Sequence, residues 1–206
     1  RIPQNYVGLH SAICSQVISQ SVNTEQSCIF IWHAKDTMEV IKFDVKDVKP
    51  EKMVKCVVGE WTIYTDEWFQ NKIGEARKEK LPNETGGILI GAFDTLRKRV
   101  YIMDSILSPS DSEEWPFSYI RGCEGLKKGL ERITGVSLNR LEYVGEWHSH
   151  PEGIKPSLSD DDKRALLWVF QHMEFEGLPG IMLIIGDNNQ YRFYIQSGND
   201  IITHSD

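Results

Sequence analysis

The segment Gly145-Glu146-Trp147-His148-Ser149-His150-Pro151 places two histidines either side of one residue, at the end of a run that reads as a strand. In an extended chain, side chains at i and i+2 leave the same face, so both imidazoles can reach one metal ion at about 2.0 to 2.1 Å. Alone, H-x-H is weak evidence, because histidine also serves as an ordinary core or surface residue. The residues that follow strengthen it. Pro151 breaks the strand, and a polar loop then runs to Ser157-Leu158-Ser159-Asp160-Asp161-Asp162, ahead of a segment with helical apolar spacing. Two imidazole nitrogens and one carboxylate leave a fourth position open on Zn²⁺, where water can bind and become acidic near neutral pH, as hydrolysis at pH 7 requires.

Upstream lies Asn83-Glu84-Thr85-Gly86-Gly87-Ile88-Leu89-Ile90-Gly91, a carboxylate at the start of a glycine-rich apolar strand. Together with His148-Ser149-His150-Pro151 and a following serine and aspartate, it resembles the JAMM (MPN+, JAB-type) metalloproteases. Their motif is a distant Glu, then H-[ST]-H-P, a loop, and S-x-x-D. The resemblance implies an α/β domain with a mixed central sheet flanked by helices, the cytidine-deaminase-like JAB/MPN architecture. It also implies a zinc-dependent isopeptidase in which Glu84 takes a proton from the zinc-bound water and delivers it to the leaving amine. The residues themselves agree, since a carboxylate at the edge of an apolar strand is partly desolvated and its pKa rises into a useful range. The plainer alternative is a solvated residue at a strand start. Gly86 and Gly87 would mark a bulge or a close backbone approach.

The aspartate ligand is ambiguous, because the usual family spacing places the serine at Leu158. Pairing Ser159 with Asp162 makes the loop one residue longer, makes Ser159 an N-cap, and puts Asp162 on a helix face with Ala165, Leu166, Val169 and Phe170. Pairing Ser157 with Asp160 makes the loop one residue shorter and puts Asp160 on a mixed face with Lys163, Arg164, Leu167 and Trp168. A ligand must point inward, so the first pairing is favoured. By the resemblance, the serine, Ser159, would donate a hydrogen bond to the oxyanion as the scissile carbonyl becomes tetrahedral, a contribution of a few kcal/mol. Simple capping, about 1 kcal/mol, is its plainer role.

These residues need elements to hold them. A helix is expected over about 11–21, then a hairpin of Cys28–Trp32 with Met38–Val45 around a turn at Ala34-Lys35-Asp36. A charged connector, 46–55, leads to a strand at Trp61–Tyr64, and Asp66 caps a helix ending near Leu81-Pro82-Asn83. Strands follow at 85–92 and 99–106, then an acidic loop, 109–116, that could act as a flap. Further on come a helix over 118–134, a strand over 141–147, a helix over 160–172 and strands at 181–185 and 191–195. Strands and helices alternate without a G-x-G-x-x-G fingerprint, which excludes an obvious dinucleotide binder. The boundary of the main domain is expected near residue 57, giving an N-terminal extension, 1–57, and a metalloprotease domain, 58–206. His10, His33, His172 and His204 lie outside the motif. The aromatic residues Trp115, Phe117 and Tyr119 fit a core, or a grip on an extended peptide near the cleft.

Composition narrows the classes. The chain has 206 residues, 40% of them hydrophobic, enough for a full core plus an extension. A net charge of -7, spread along the chain, argues against nucleic acid as a partner. Cys14, Cys28, Cys56 and Cys123 form no C-x-x-C pair, which suits reduced thiols and a cytoplasmic setting. No apolar stretch is long enough for a membrane span, and the start, which lacks Met, suggests a piece of a longer polypeptide.

The resemblance implies cleavage after the C-terminal glycine of a ubiquitin-like modifier, or release of its conjugate. Prokaryotic relatives accompany ubiquitin-like conjugation, sulfur-carrier or antiphage systems, so activating and conjugating enzymes of the same operon are expected partners. The segment before residue 57 loosely resembles the tail of a ThiF-like activating enzyme. Two rivals stand against this. A non-catalytic MPN scaffold would lose the metal-binding residue types, which are present. A zinc hydrolase of another class, such as a deaminase, needs H-x-E with P-C-x-x-C, which is absent.

Overall fold

The computed structural model describes residues 29–37, 40–48, 53–137 and 139–204. The chain divides into two compact units, Arg1–Glu51 and Lys52–Asp206. In the first unit, β1 (Ile29–Thr37) and β2 (Val40–Val48) form an antiparallel hairpin. Ala34, Lys35 and Asp36 were expected in the turn; they pair within the strands, opposite Phe43, Lys42 and Ile41. The ladder therefore runs further than the turn signal suggests, and the connection shortens to residues 38 and 39. The helix expected over 11–21 lies outside the described residues.

The second unit is built on one mixed eight-stranded sheet, ordered β12-β11-β10-β9-β5-β6-β4-β3. Its strands are β3 (Val54–Val58), β4 (Trp61–Thr65), β5 (Gly86–Asp94), β6 (Arg99–Leu107), β9 (Glu142–Ser149), β10 (Gly180–Ile185), β11 (Tyr191–Ser197) and β12 (Asp200–Thr203). The pairs β9–β10 and β4–β6 are parallel and the others antiparallel. The chain is therefore α/β with a mixed sheet. Residues 54 and 55, expected in a connector, belong to β3, and residue 57 falls inside this edge strand.

Helices cover both faces. Helix α1 (Glu67–Lys80) starts at Asp66, whose carboxylate accepts the Phe69 N–H at 2.8 Å. It buries Phe69 and Ile73 against Ile63, Leu89, Trp147 and Leu183. The opposite face carries α2 (Leu126–Val136) over Ile88 and Ile90, and α3 (Asp160–Met173) over Met182 and Ile184. Alternation along β10 sorts these sides, with Ile181, Leu183 and Ile185 facing α1 and Met182 and Ile184 facing α3. Each such side chain contributes roughly 1.5–3 kcal/mol.

The helix expected over 118–134 starts later, at Leu126. Residues 118–120 are instead the strand β8, paired with β7 (Glu113–Trp115) as a short hairpin. The expected flap loop thus holds regular structure at its end. Apolar residues at Ile120 and Leu126 mimicked one helical stripe, but they belong to different elements.

Among the described residues, no helix is long and apolar enough to cross a membrane. Cys56 and Cys123 are free thiols.

Candidate metal centre

Strand β9 carries His148 between β5 and β10, opposite Gly86 and Ile184. A bulge decides which way it faces. Leu89 pairs with Gly145 and Ile90 with Tyr143, so Val144 is an extra residue and the alternation of β9 inverts there. Val144 and Trp147 both enter the core beneath α1. Glu146, His148 and His150 consequently line a cleft on the α3 side. The buried indole N–H of Trp147 donates to Ser105 Oγ at 2.7 Å and pins this register.

Helix α3 brings the carboxylate. Ser159 is its N-cap and Asp162 its third residue, joined as a reciprocal capping box. Asp162 N–H donates to Ser159 Oγ at 3.1 Å, and Ser159 N–H donates to Asp162 Oδ2 at 2.7 Å. The other carboxylate oxygen, Oδ1, lies 3.1 Å from His148 Nε2, and Oδ2 lies 3.7 Å from His150 Nε2. The three ligand atoms all fall within 4.8 Å of one another. Leu166, Val169 and Phe170 are buried as the helix-face argument requires, whereas Ala165 is exposed. Asp160 points away, 84% exposed and paired with Lys163. Ser157 is exposed on the loop and lines a separate cavity beside Asn188 and Gln190.

The donor set was tested against a metal ion on two observations. His148 Nε2 is buried and makes no hydrogen bond, although a carboxylate oxygen stands 3.1 Å away. An unpartnered imidazole nitrogen and a carboxylate oxygen at that separation can share a cation between them. For His150, Nδ1 lies 2.8 Å from the Lys155 carbonyl. A carbonyl only accepts, so Nδ1 carries the proton and Nε2 offers its lone pair, the arrangement of a metal-binding imidazole. His148, His150 and Asp162 could thus hold a metal ion with two nitrogens and one oxygen.

Glu84 stands at the entrance to β5, 9% exposed, and lines the same open cleft of about 580 Å³. Its N–H donates to the Trp115 carbonyl at 2.9 Å, and next to it Thr85 N–H donates to Ser149 Oγ at 3.0 Å. The β7–β8 hairpin is latched to this point by Glu114, which accepts from Thr85 Oγ1 at 2.7 Å and from Lys80 Nζ at 2.6 Å. Gly86 is required by close approach. A Cβ there would lie 2.4 Å from the Trp147 carbonyl and 2.4 Å from the Tyr119 ring. Phe117 and Tyr119 line the cleft, and Phe117 is 82% exposed.

Electrostatics divide the two acids. Burial pushes the Glu84 carboxyl above its ordinary value, Asp162 pushes the same way, and the two imidazoles oppose. Burial would also raise Asp162, but the neighbouring imidazoles of His148 and His150 outweigh it and hold that carboxylate well below its usual range. For His150 burial acts downward. It is overcome by Asp162, the Lys155 carbonyl and the charge of Glu84, so the imidazole is raised. A pair of acids pushed apart in this way, one basic enough to move a proton and one fixed as an anion, suits hydrolysis.

Several groups around the centre have no signature in the sequence. Arg77 donates from Nε to the His150 carbonyl at 2.9 Å. Arg121 holds Glu146 at 2.9 Å, with the Tyr143 hydroxyl donating to the same oxygen at 3.3 Å. The two arginine contacts join positions 73 and 25 residues apart, and no local pattern announces them.

The prokaryotic homologs of the JAB domain match residues 66–196. A curated relative, the CD-NTase/cGAS isopeptidase of Enterobacter hormaechei subsp. hoffmannii (strain UCI 50), is 36% identical over 104 residues, 50% of this chain and 56% of that protein. The matched part thus spans about half the length of that relative. Among solved structures, a protein from Desulfitobacterium hafniense aligns with TM-score 0.46 and 17% identity, over 68% of this chain and 87% of its own. A JAB1/MPN domain protein from Archaeoglobus fulgidus aligns with TM-score 0.36 and 19% identity, over 67% and 90%.

Proposed function

This chain belongs to the prokaryotic homologs of the JAB domain, and from that premise we propose that it is a zinc-dependent isopeptidase acting on ubiquitin-like modifiers. It would cut the amide bond after the modifier's C-terminal glycine. The observation that carries the reading is the convergence of His148, His150 and Asp162 in one cleft with a buried, proton-accepting Glu84. The relative named as a CD-NTase/cGAS isopeptidase supports the bond type, an isopeptide.

His148, His150 and Asp162 would hold Zn²⁺, whose two-nitrogen, one-oxygen preference they match. The bound ion supplies Lewis acidity, which polarises the scissile carbonyl and makes water acidic enough to attack near pH 7. Glu84 accepts the proton of the attacking water and passes it to the leaving amine; its burial keeps its basicity near what that task needs. Ser159 performs two compatible tasks. Its Oγ accepts the Asp162 N–H as a cap, and its own hydroxyl proton remains available to donate to the oxyanion. The exposed apolar side chains of Phe117 and Ile120 flank the cleft. They offer purchase for an extended glycine-ended tail. Partners in this reading are the modifier conjugate and the activating and conjugating enzymes of the same operon.

The test is incubation with fusions of ubiquitin-like modifiers from neighbouring genes, with mass spectrometry of the cut site. Zinc-dependent scission after the terminal glycine is expected. Intact fusions with the zinc-loaded protein, or scission that survives Glu84→Gln, would overturn the proposal.

A further inference from the structure

The two histidines are held differently. His148 lies within β9, hydrogen-bonded into the sheet on both sides. His150 lies just beyond Ser149, the last residue of that strand, and precedes Pro151. Its N–H still donates to the Ile185 carbonyl at 2.8 Å, and its ring is fixed by the Lys155 carbonyl at 2.8 Å. On the β5 side, however, the last rung is Ser149 N–H to the Thr85 carbonyl at 2.7 Å. The His150 carbonyl is past the ladder. Its hydrogen bond comes instead from Arg77 Nε at 2.9 Å, out of the last turn of α1 and 73 residues away in sequence.

Arg77 is itself unusual. It is 5% exposed. Its Nη2 is buried without a partner, and no carboxylate among the described residues pairs with it. Enclosing a guanidinium for one bond to a carbonyl opposes folding, since the charge loses its hydration and gains no counter-charge. An apolar side chain of similar length would fill the space at less cost. Packing alone therefore gives no reason for an arginine at this position, and its contact with the His150 carbonyl points to a task other than stability.

We propose that Arg77 is a positioning residue of the metal centre, standing in for the strand partner that His150 lacks and thereby fixing the direction of its Nε2. This rests on the reading that His148, His150 and Asp162 hold a metal ion. The Lys155 carbonyl sets the rotation of the ring, whereas Arg77 sets the peptide from which the ring projects. Groups that orient a ligand in this way change metal affinity about 10- to 100-fold when removed.

The experiment uses the whole chain, Zn²⁺ affinity by chelator competition, and the visible spectrum of the Co²⁺-loaded protein. In Arg77→Met, Zn²⁺ should bind about 10- to 100-fold more weakly, with a changed Co²⁺ band, and Arg77→Lys should recover part of the loss. Ile73→Ala is the control for general damage to α1, because Ile73 is buried on the same helix in the apolar core. It should lower Tm while leaving affinity and spectrum unchanged. Wild-type affinity and spectrum in a folded Arg77→Met, or equal weakening in Ile73→Ala, overturns the assignment. Should Arg77→Met not fold, Arg77→Gln serves the same comparison, with the same two outcomes. Failure of the wild-type chain to take up Zn²⁺ or Co²⁺ would instead refute the metal reading itself.

Discussion

Replacing Asp162 by alanine removes two interactions made by one carboxylate, and they differ in size. Oδ2 accepts the Ser159 N–H at 2.7 Å as half of a capping box. Losing it costs about 1 kcal/mol of helix stability, a fall in Tm of about 2–4 °C for a chain of this size. Oδ1, facing His148 Nε2 at 3.1 Å, is the candidate metal ligand. Apparent zinc-binding energies of about 10–16 kcal/mol over four ligands average about 3 kcal/mol each, which converts to an affinity at least about 100-fold weaker. Chelator competition and thermal melting on the same samples separate the two effects. Asp160→Ala is the comparison, because Asp160 is 84% exposed and paired with Lys163, and it should leave zinc binding unchanged. Zinc retained in Asp162→Ala, or lost in Asp160→Ala, would refute the geometry from which both expectations are drawn.

Four further outcomes follow from the same centre. Glu84→Gln should keep the fold and the metal while cleavage falls about 100- to 10,000-fold, read by zinc analysis beside a cleavage assay. Because burial raises the Glu84 carboxyl above its ordinary 4.5 in the metal-free protein, infrared titration of the metal-free chain, read as the difference from Glu84→Gln, should place this group above 4.5; a value at or below it contradicts the burial argument. His150 is also raised, and protons compete with metal for its Nε2, so zinc affinity should fall as pH drops through the neutral-to-acid range. Gly86→Ala would press a Cβ onto the Trp147 carbonyl and the Tyr119 ring, 2.4 Å from each. It should destabilise the domain by about 1–3 kcal/mol and disturb Glu84 two residues away, which melting and activity would register together.

Local chemistry was legible in the residues themselves. H-x-H before a proline, an S-x-x-D pair at a helix start and a glutamate before a glycine-rich strand each declare a donor at a known phase of an extended or helical chain. The apolar periodicities also located α1, α3 and most strands of the large sheet. The acid choice was within reach too, because the face carrying Leu166, Val169 and Phe170 had to turn inward, and Asp162 lies near it while Asp160 does not. The false helix at 118 came from a short apolar pattern shared by a hairpin and the next helix, where periodicity alone has no power to separate them.

Other features were decided only in three dimensions. The bulge at Val144 sets which face of β9 carries the histidines, and it arises from pairing with β5, fifty-odd positions earlier. The placement of Glu84 beside His148 depends on β5 and β9 being neighbours. Arg77 and Glu114 act through hydrogen bonds to groups 73 and 29 positions away. A sequence states which groups can donate, accept or ligate, since that is a property of each residue and its near neighbours. Which of them meet, and how far water is kept from them, depends on the packing of remote segments, and that packing is what shifts the Glu84 and Asp162 carboxyls in opposite directions.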